Sequence, residues 1–342
     1  VKAIAKTTAG PGLEIIETKE PQIKPGHVKV RIQKASICGT DLHIYQWDQW
    51  ASTRIKPPRI IGHEFCGEII EVGEGVSPSR MGEFISSESH IVCGQCVQCL
   101  HGQAHVCANT QILGVDVDGG FATYAVLPSQ NARHTPPQIS KSIASMQDAI
   151  GNAVHTIMSV PVPERTVLIT GLGPIGLFAA AICKIIGAQK IYATEISPFR
   201  IALGKQIGVD EIFNPLEVDV EKALKKEEKY GVDICLEMSG QASSFDLAVR
   251  ATRSGGEISI LGVFPGPLSD VDMNEVVLKG LTLHGITGRR QWETWDQMQW
   301  LLTEKGLDLS PLITHEMKFD QIEEAMQILQ AGQAGKIVLD FE

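Results

Sequence analysis

One short stretch constrains the fold more than any other. Gly171-Leu172-Gly173-Pro174-Ile175-Gly176 follows the apolar run Val167-Leu168-Ile169-Thr170 directly and leads straight into the helix-like segment Leu177 to Ile186. Where a strand ends in spaced glycines and restarts as a helix, the first Gly permits a tight turn and the second lets backbone approach a ligand. The third allows close helix–strand packing, and the exposed N–H groups of the new helix then suit a pyrophosphate. Around this turn, apolar strand-like runs alternate with amphipathic helices: Val167 to Thr170, Lys190 to Thr194, Glu211 to Asn214, Ile234 to Met238, Glu257 to Leu261 and Leu281 to Ile286. The alternation predicts an α/β, doubly wound parallel sheet of the Rossmann type. Glu195 stands nineteen residues beyond Gly176 at the end of the next strand, placed to accept hydrogen bonds from ribose hydroxyls. Its charge repels a 2′-phosphate and favours NAD over NADP; Arg200 pulls the other way, because a nearby Arg can receive that phosphate.

This texture begins near residue 148. Before it lie short β-rich runs such as Val28-Lys29-Val30-Arg31-Ile32 and Gly67-Glu68-Ile69-Ile70-Glu71-Val72-Gly73, punctuated by Gly and Pro. Three parts are expected: a twisted β-rich catalytic domain over 1–147, a dinucleotide-binding domain over 148–291, and a tail over 292–342 that returns to the first domain through the strand Lys336 to Asp340. A chain of 342 residues is long enough for two domains, and 43% hydrophobic with 20% charged residues is a globular profile. Forty acidic against 30 basic residues give a net charge of −10, which disfavours nucleic acid and anionic lipid as partners. No apolar run approaches the roughly 18 residues of a membrane span and the N-terminal residues show no secretory pattern, so a cytoplasmic location is the default expectation.

Of eight cysteines, four are packed into Cys93-x2-Cys96-x2-Cys99-x7-Cys107. Thiolates two residues apart can curl around one tetrahedral ion, with a fourth from the following loop to close the shell. A closed shell has no open position, so such a zinc holds a loop rather than performing chemistry. His105 could replace Cys107 in the set, and spacing alone leaves an iron–sulfur cluster open. A second group, Cys38-Gly39-Thr40-Asp41-Leu42-His43 with Gly62-His63-Glu64, offers a thiolate, an imidazole and carboxylates. That set suits a zinc with a free position for water or substrate.

Together these motifs resemble the zinc-dependent medium-chain alcohol dehydrogenases over essentially the whole chain, and within them the threonine-oxidising branch. The narrower marks are His43-Ile44-Tyr45-Gln46-Trp47-Asp48, Gly151-Asn152-Ala153-Val154-His155-Thr156, Trp292-Glu293-Thr294-Trp295 and Leu307 to His315. The resemblance implies two zinc ions per chain: a catalytic one on Cys38, His63 and Glu64, and a structural one on Cys93, Cys96, Cys99 and Cys107. It implies that Asp148 ligates or acts from just behind the catalytic metal, and that Thr40 and His43 relay a proton by way of the nicotinamide ribose. Gly171, Gly173, Ile175, Gly176, Glu195, Arg200, Leu261, Gly262, Val263, Ile286 and Thr287 are implied to line NAD. The expected reaction is oxidation of a small-molecule alcohol, L-threonine first, with a 2,3-butanediol- or sorbitol-type activity as the alternative. A homo-oligomer, a tetramer by resemblance, is the expected assembly. Two features depart from or complicate the pattern. Glu83-Phe84-Ile85 stands where the family commonly has Asp-Arg-Val, so any ion pair of that Arg is absent or rebuilt; and Cys66 lies close to Glu64, read as a small core residue. His90 is read as a surface residue.

Overall fold

The computed structural model describes residues 1–268 and 271–342. It contains two compact units, Val1–Ala149 with Ile313–Glu342, and Ile150–Leu312. Among the described residues no helix is long and apolar enough to cross a membrane.

The second unit is a six-stranded parallel sheet. Its strands in chain order are Thr166–Thr170, Lys190–Thr194, Glu211–Phe213, Val232–Glu237, Thr252–Ile260 and Thr282–Gly285, and they lie side by side as 3-2-1-4-5-6. The apolar runs become strands because both faces of a parallel sheet are covered by helices; Thr166 to Thr170 are buried along their whole length. The order reverses beside the first strand, which is where such sheets bind ligands at their carboxyl ends. The strand Thr252–Ile260 starts before the apolar run at Glu257 because Arg253 pairs with Asp233 across the strand neighbour at 2.7 Å, carrying a polar segment into the sheet.

The first unit is built on the ten-residue strand His27–Ser36. Glu64–Val72, Tyr124–Pro128 and Lys336–Asp340 pair with it antiparallel, and Ile313–Lys318 joins Lys336–Asp340 in parallel. A second sheet pairs Lys2–Lys6 with Glu14–Glu17 and Arg59–Ile60. Ile4, Val28, Val30, Ile69, Ile85, Phe121 and Leu339 pack the core between them. The tail therefore does re-enter the first unit's sheet, but only from Ile313. Helix Glu293–Thr303 and the turn Ser310–Leu312 lie in the second unit, where that turn packs on helix Pro198–Gln206.

Candidate functional site

Strand register assembles the first group of donors. Ser36 is the Cα partner of Glu64 in one direction and of Val338 in the other. The end of one strand and the starts of two others therefore meet at one corner. Cys38 follows Ser36 by two residues, His63 precedes Glu64 by one, and Lys336 precedes Val338 by two. Gly62, at φ +89°, makes the bend that delivers His63; a Cβ there would stand 2.0 Å from the Phe121 ring. At this corner the Cys38 sulfur, a His63 nitrogen and a Glu64 oxygen all lie within 4.8 Å of one another.

Glu64 is held from behind. Glu64 Oε2 accepts from Ser36 Oγ and from the buried Lys336 Nζ, which also donates to Ile37 O at 2.9 Å. Its other oxygen, Oε1, is buried without a hydrogen-bond partner, 3.9 Å from His63 Nε2. His63 Nδ1 is likewise unsatisfied, 3.9 Å from Asp41 Oδ1, itself an orphaned buried atom. Asp41 is fixed through Oδ2, which accepts from Cys38 N at 2.9 Å. Buried orphans on three neighbouring groups are rare in folded proteins, and a cation between Cys38, His63 and Glu64 gives Glu64 Oε1 the partner it lacks. The charges agree. Burial opposes ionisation of His63, yet the Cys38 sulfur, Asp41 and Glu64 outweigh it and raise the imidazole pKa to about 10. Burial also acts against the Glu64 carboxylate, but Lys336 and His63 hold it below its ordinary value. Burial raises Asp41. The pocket is thus negative enough to seek positive charge, and its donor chemistry fits zinc with a place left open.

The neighbouring expected residues are distributed as follows. Thr40 Oγ1 is 3.9 Å from the Cys38 sulfur, and His43 lies one helical turn further on, in the helix Gly39–Gln46. Asp148 is buried, with Oδ1 accepting from Ser89 N at 2.9 Å; the clustered donor atoms are those of Cys38, His63 and Glu64. Cys66 is buried, its thiol pushed up to about 12 by burial and donating to Lys141 O, which makes it a packed and unreactive group. His90 is half-buried in the short strand His90–Ile91. The ion pair that the Glu83 segment puts in question is rebuilt: Glu83 accepts from Arg80 Nε at 2.6 Å, and Arg80 also donates to Ser129 and Ala132.

The second group is local. Gly94, at φ +70°, turns the chain after Cys93, the helix Val97–Leu100 starts at Cys96, and the turn Ala104–Val106 delivers Cys107. The strands His90–Ile91 and Gln111–Ile112 close the base of the loop. The four sulfurs lie within 4.8 Å of one another, with Cys96–Cys99 and Cys93–Cys107 at 3.5 Å and Cys96–Cys107 at 3.8 Å. Four thiolates about 2.3 Å from one zinc define a tetrahedron with edges of about 3.8 Å. A multi-iron cluster instead puts its thiolates on separate irons and spreads them apart. Among the described residues it is Cys107, and not His105, that groups with the other three sulfurs. Asn109 Nδ2 and nearby backbone N–H groups lower the Cys93 thiol to about 6, whereas burial and the sulfurs of Cys96 and Cys107 push Cys99 up to about 12. Four thiolates coexist here only with a cation among them.

In the second unit the expected NAD residues gather at the carboxyl ends of the parallel strands. Gly171 takes φ +90°, and a Cβ on Gly176 would lie 2.1 Å from Gly171 O. Gly173 is the N-cap of helix Pro174–Ile185 and faces open space, so the helix start is accessible to a pyrophosphate. Glu195 does more than its position implies: Oε2 accepts from Leu172 N inside the turn, and Oε1 accepts from Ile196 N and Ser197 N. Arg200 Nε is buried without a partner. Leu261 and Gly262 donate to Glu237 O, Ile286 N bonds Ile260 O, and Val263 and Thr287 are exposed. Residues that the sequence did not single out are Ser36, Asp41 and Lys336 at the metal corner, and Glu237. The buried Glu237 carboxylate accepts from Thr170, Ser239 and Gly240 and ties two strand ends together. For Lys336 the one available signal is a cation opening an otherwise apolar strand.

A model of the alcohol dehydrogenase GroES-like domain matches residues 24–137, and a model of zinc-binding dehydrogenases matches residues 174–304. The chain is 46% identical over 338 residues to the L-threonine 3-dehydrogenase of Pyrococcus horikoshii, covering 98% of this chain and 97% of that one. It is 39% identical to the enzyme of that name from Vibrio parahaemolyticus, covering 100% and 99%. Among solved structures, an Escherichia coli alcohol dehydrogenase complexed with NADH superposes with a TM-score of 0.91 at 28% identity, over 99% of both chains. The 2R,3R-butanediol dehydrogenase of Bacillus subtilis gives 0.89 at 26%, over 100% and 99%.

Proposed function

The chain belongs to the zinc-binding alcohol dehydrogenase family, and from that premise we propose that it oxidises L-threonine at C3 to 2-amino-3-oxobutanoate, with hydride passing to NAD. The observation that carries the substrate is the identity of 39 to 46% to L-threonine 3-dehydrogenases over nearly the full length of both chains. Butanediol- and idonate-type enzymes are similar at 26%.

When bound, zinc at Cys38, His63 and Glu64 supplies a Lewis acid and NAD supplies the hydride acceptor. The chain's own groups do the rest. Ser36 and Lys336 hold Glu64 by one oxygen and leave Oε1 for the metal; Asp41 places a carboxylate oxygen 3.9 Å behind His63 Nδ1. Thr40 takes the hydroxyl proton and His43 passes it to water, a step suited to an imidazole. Cys38 and Glu64 together contribute two negative charges, which offset a divalent ion and suit a substrate bearing an ammonium group. Asp148 acts close to this group. The second zinc, on Cys93, Cys96, Cys99 and Cys107, holds the loop. Gly171, Gly173 and Gly176 admit the pyrophosphate, Ile175, Leu261, Gly262, Val263, Ile286 and Thr287 line the cofactor, and Glu195 selects the unphosphorylated ribose beside Arg200. The same reading takes the protein as a homotetramer, which the family resemblance supports, and as cytoplasmic.

The test is a substrate panel of L-threonine, 2,3-butanediol and sorbitol, each with NAD and NADP. L-Threonine with NAD gives the highest kcat/KM, and NAD exceeds NADP by at least about tenfold, or about 1.4 kcal/mol. A preference for either diol overturns the substrate, and equal use of both cofactors overturns the role of Glu195.

A further inference from the structure

His43 ends the proposed relay, yet it is an exposed side chain on a short helix, free in principle to adopt several rotamers and either tautomer. The structure holds it. Helix Gly39–Gln46 stops at Trp47, whose backbone adopts the left-handed conformation at φ 56°, ψ 46°. A bulky residue there is an outlier, since glycine usually takes this position. Trp47 is kept by packing: its ring lies against the first unit's core, with the buried Lys6 ammonium 5.1 Å from its centroid. The bend turns the chain back, so that Asp48 N bonds His43 O and the Asp48 carboxylate meets the His43 ring. Its Oδ2 lies 2.6 Å from His43 Nδ1, while its Oδ1 accepts from Ala51 N at 2.9 Å as the N-cap of helix Gln49–Arg54. Trp50, from the same helix, sets its ring edge-on to the imidazole at 6.1 Å.

From this geometry we infer that Asp48 is a positioning residue for the proton relay: it fixes the tautomer and rotamer of His43 so that Nε2 faces the reaction with its lone pair free. The inference rests on the relay reading of His43. An ionised carboxylate only accepts hydrogen bonds. The Ala51 backbone N–H, and then the imidazole, hold the Asp48 carboxyl below its ordinary range despite some burial, so it is ionised at neutral pH. His43 must then carry its hydrogen on Nδ1, which leaves Nε2 as the acceptor. One carboxylate thus orders two things at once, a helix start and a ring, and the strained Trp47 turn is what lets it reach both.

The test uses the zinc-loaded full chain and the variants Asp48→Ser, His43→Ala and the two combined. Serine keeps an N-cap for Ala51 but is too short to reach the imidazole. Asp48→Ser is expected to lower kcat about tenfold, in the range seen when an orienting partner is lost. KM for L-threonine and NAD and the content of two zinc ions stay unchanged, and the solvent deuterium isotope effect on kcat grows as proton release slows. In the His43→Ala background the same substitution is expected to change kcat by less than about twofold, because its target is gone. If His43→Ala is slow while Asp48→Ser runs at the parental rate, the relay stands and the role of Asp48 is overturned. A tenfold loss of equal size in both backgrounds overturns it too, since that is the mark of a damaged helix start. Near-parental turnover by His43→Ala removes the relay itself.

Discussion

At the Cys93 to Cys107 loop every donor comes from one short stretch, and the groups that support the thiolates, such as Asn109, come from the same stretch. At the Cys38 corner the donors come from the segment just past one strand and from the start of another, and the support for Glu64 comes from Ser36, 28 residues away, and from Lys336, 272 residues away. The first group offers four donors and is half-exposed at Cys93, Cys96 and Cys99; the second is buried at His63 and Glu64 and offers three donors. The difference shows what each arrangement can do. Local ligands suffice for a staple, whose formation needs only its own loop. A metal that must keep an open position needs ligands that cannot rearrange to fill it, and that rigidity comes from the sheet, through residues the whole chain must fold to bring together.

The comparison can be strained first at its long-range end. Lys336→Met leaves the buried Glu64 carboxylate without its cation, and removing one partner of a buried pair costs about 3–5 kcal/mol. A loss of that size is expected in the metal-free protein by denaturant unfolding, and a smaller one in the zinc-loaded protein, where the metal supplies the missing charge. A loss below about 1 kcal/mol in the metal-free protein means that the corner does not depend on the distant strand.

The matching change in the loop is smaller. Asn109→Ala removes the amide that donates to the Cys93 sulfur at 3.5 Å. Loss of such an outer contact is expected to weaken zinc retention by the loop about tenfold, measured by competition with a chelator, with turnover unchanged while the loop stays loaded. A fall in kcat at full zinc occupancy means that the loop takes part in the chemistry, and the contrast fails.

The same division decides what was legible in the sequence. The four-Cys spacing and the Gly171 to Gly176 turn are local, so the pattern announces both the ligand set and the strand–turn–helix, and the six apolar runs predict the six parallel strands in their places. Cys38, His63 and Glu64 are legible only as motifs of a family, because periodicity says nothing of which residue pairs with Ser36. Asp41 reads as an ordinary helix-start acid, and nothing local tells that its second oxygen sits behind His63. Lys336 opens an apolar strand, where a lysine normally marks an exposed end, and here it is 2% exposed. The left-handed backbone of Trp47 is invisible for a related reason: tryptophan has no tendency toward that conformation, and tertiary packing holds it there. The point at which the tail leaves the second unit, Leu312 rather than Gln291, goes with the contact of the turn Ser310–Leu312 on helix Pro198–Gln206 and not with any break in periodicity.

The central claim is that the two metal groups divide the work, one for chemistry and one for structure. Its most direct test measures zinc per chain and kcat together in Cys38→Ser and Cys99→Ser, on folded protein purified without chelator. Each variant is expected to keep about one of two zinc ions. Cys99→Ser is expected to turn over L-threonine within about tenfold of the parent and to lose thermal stability, and Cys38→Ser to fall by more than about 10³-fold while keeping its fold. If Cys38→Ser keeps both ions or its activity, or if a folded Cys99→Ser with one zinc is inactive, the assignment is contradicted.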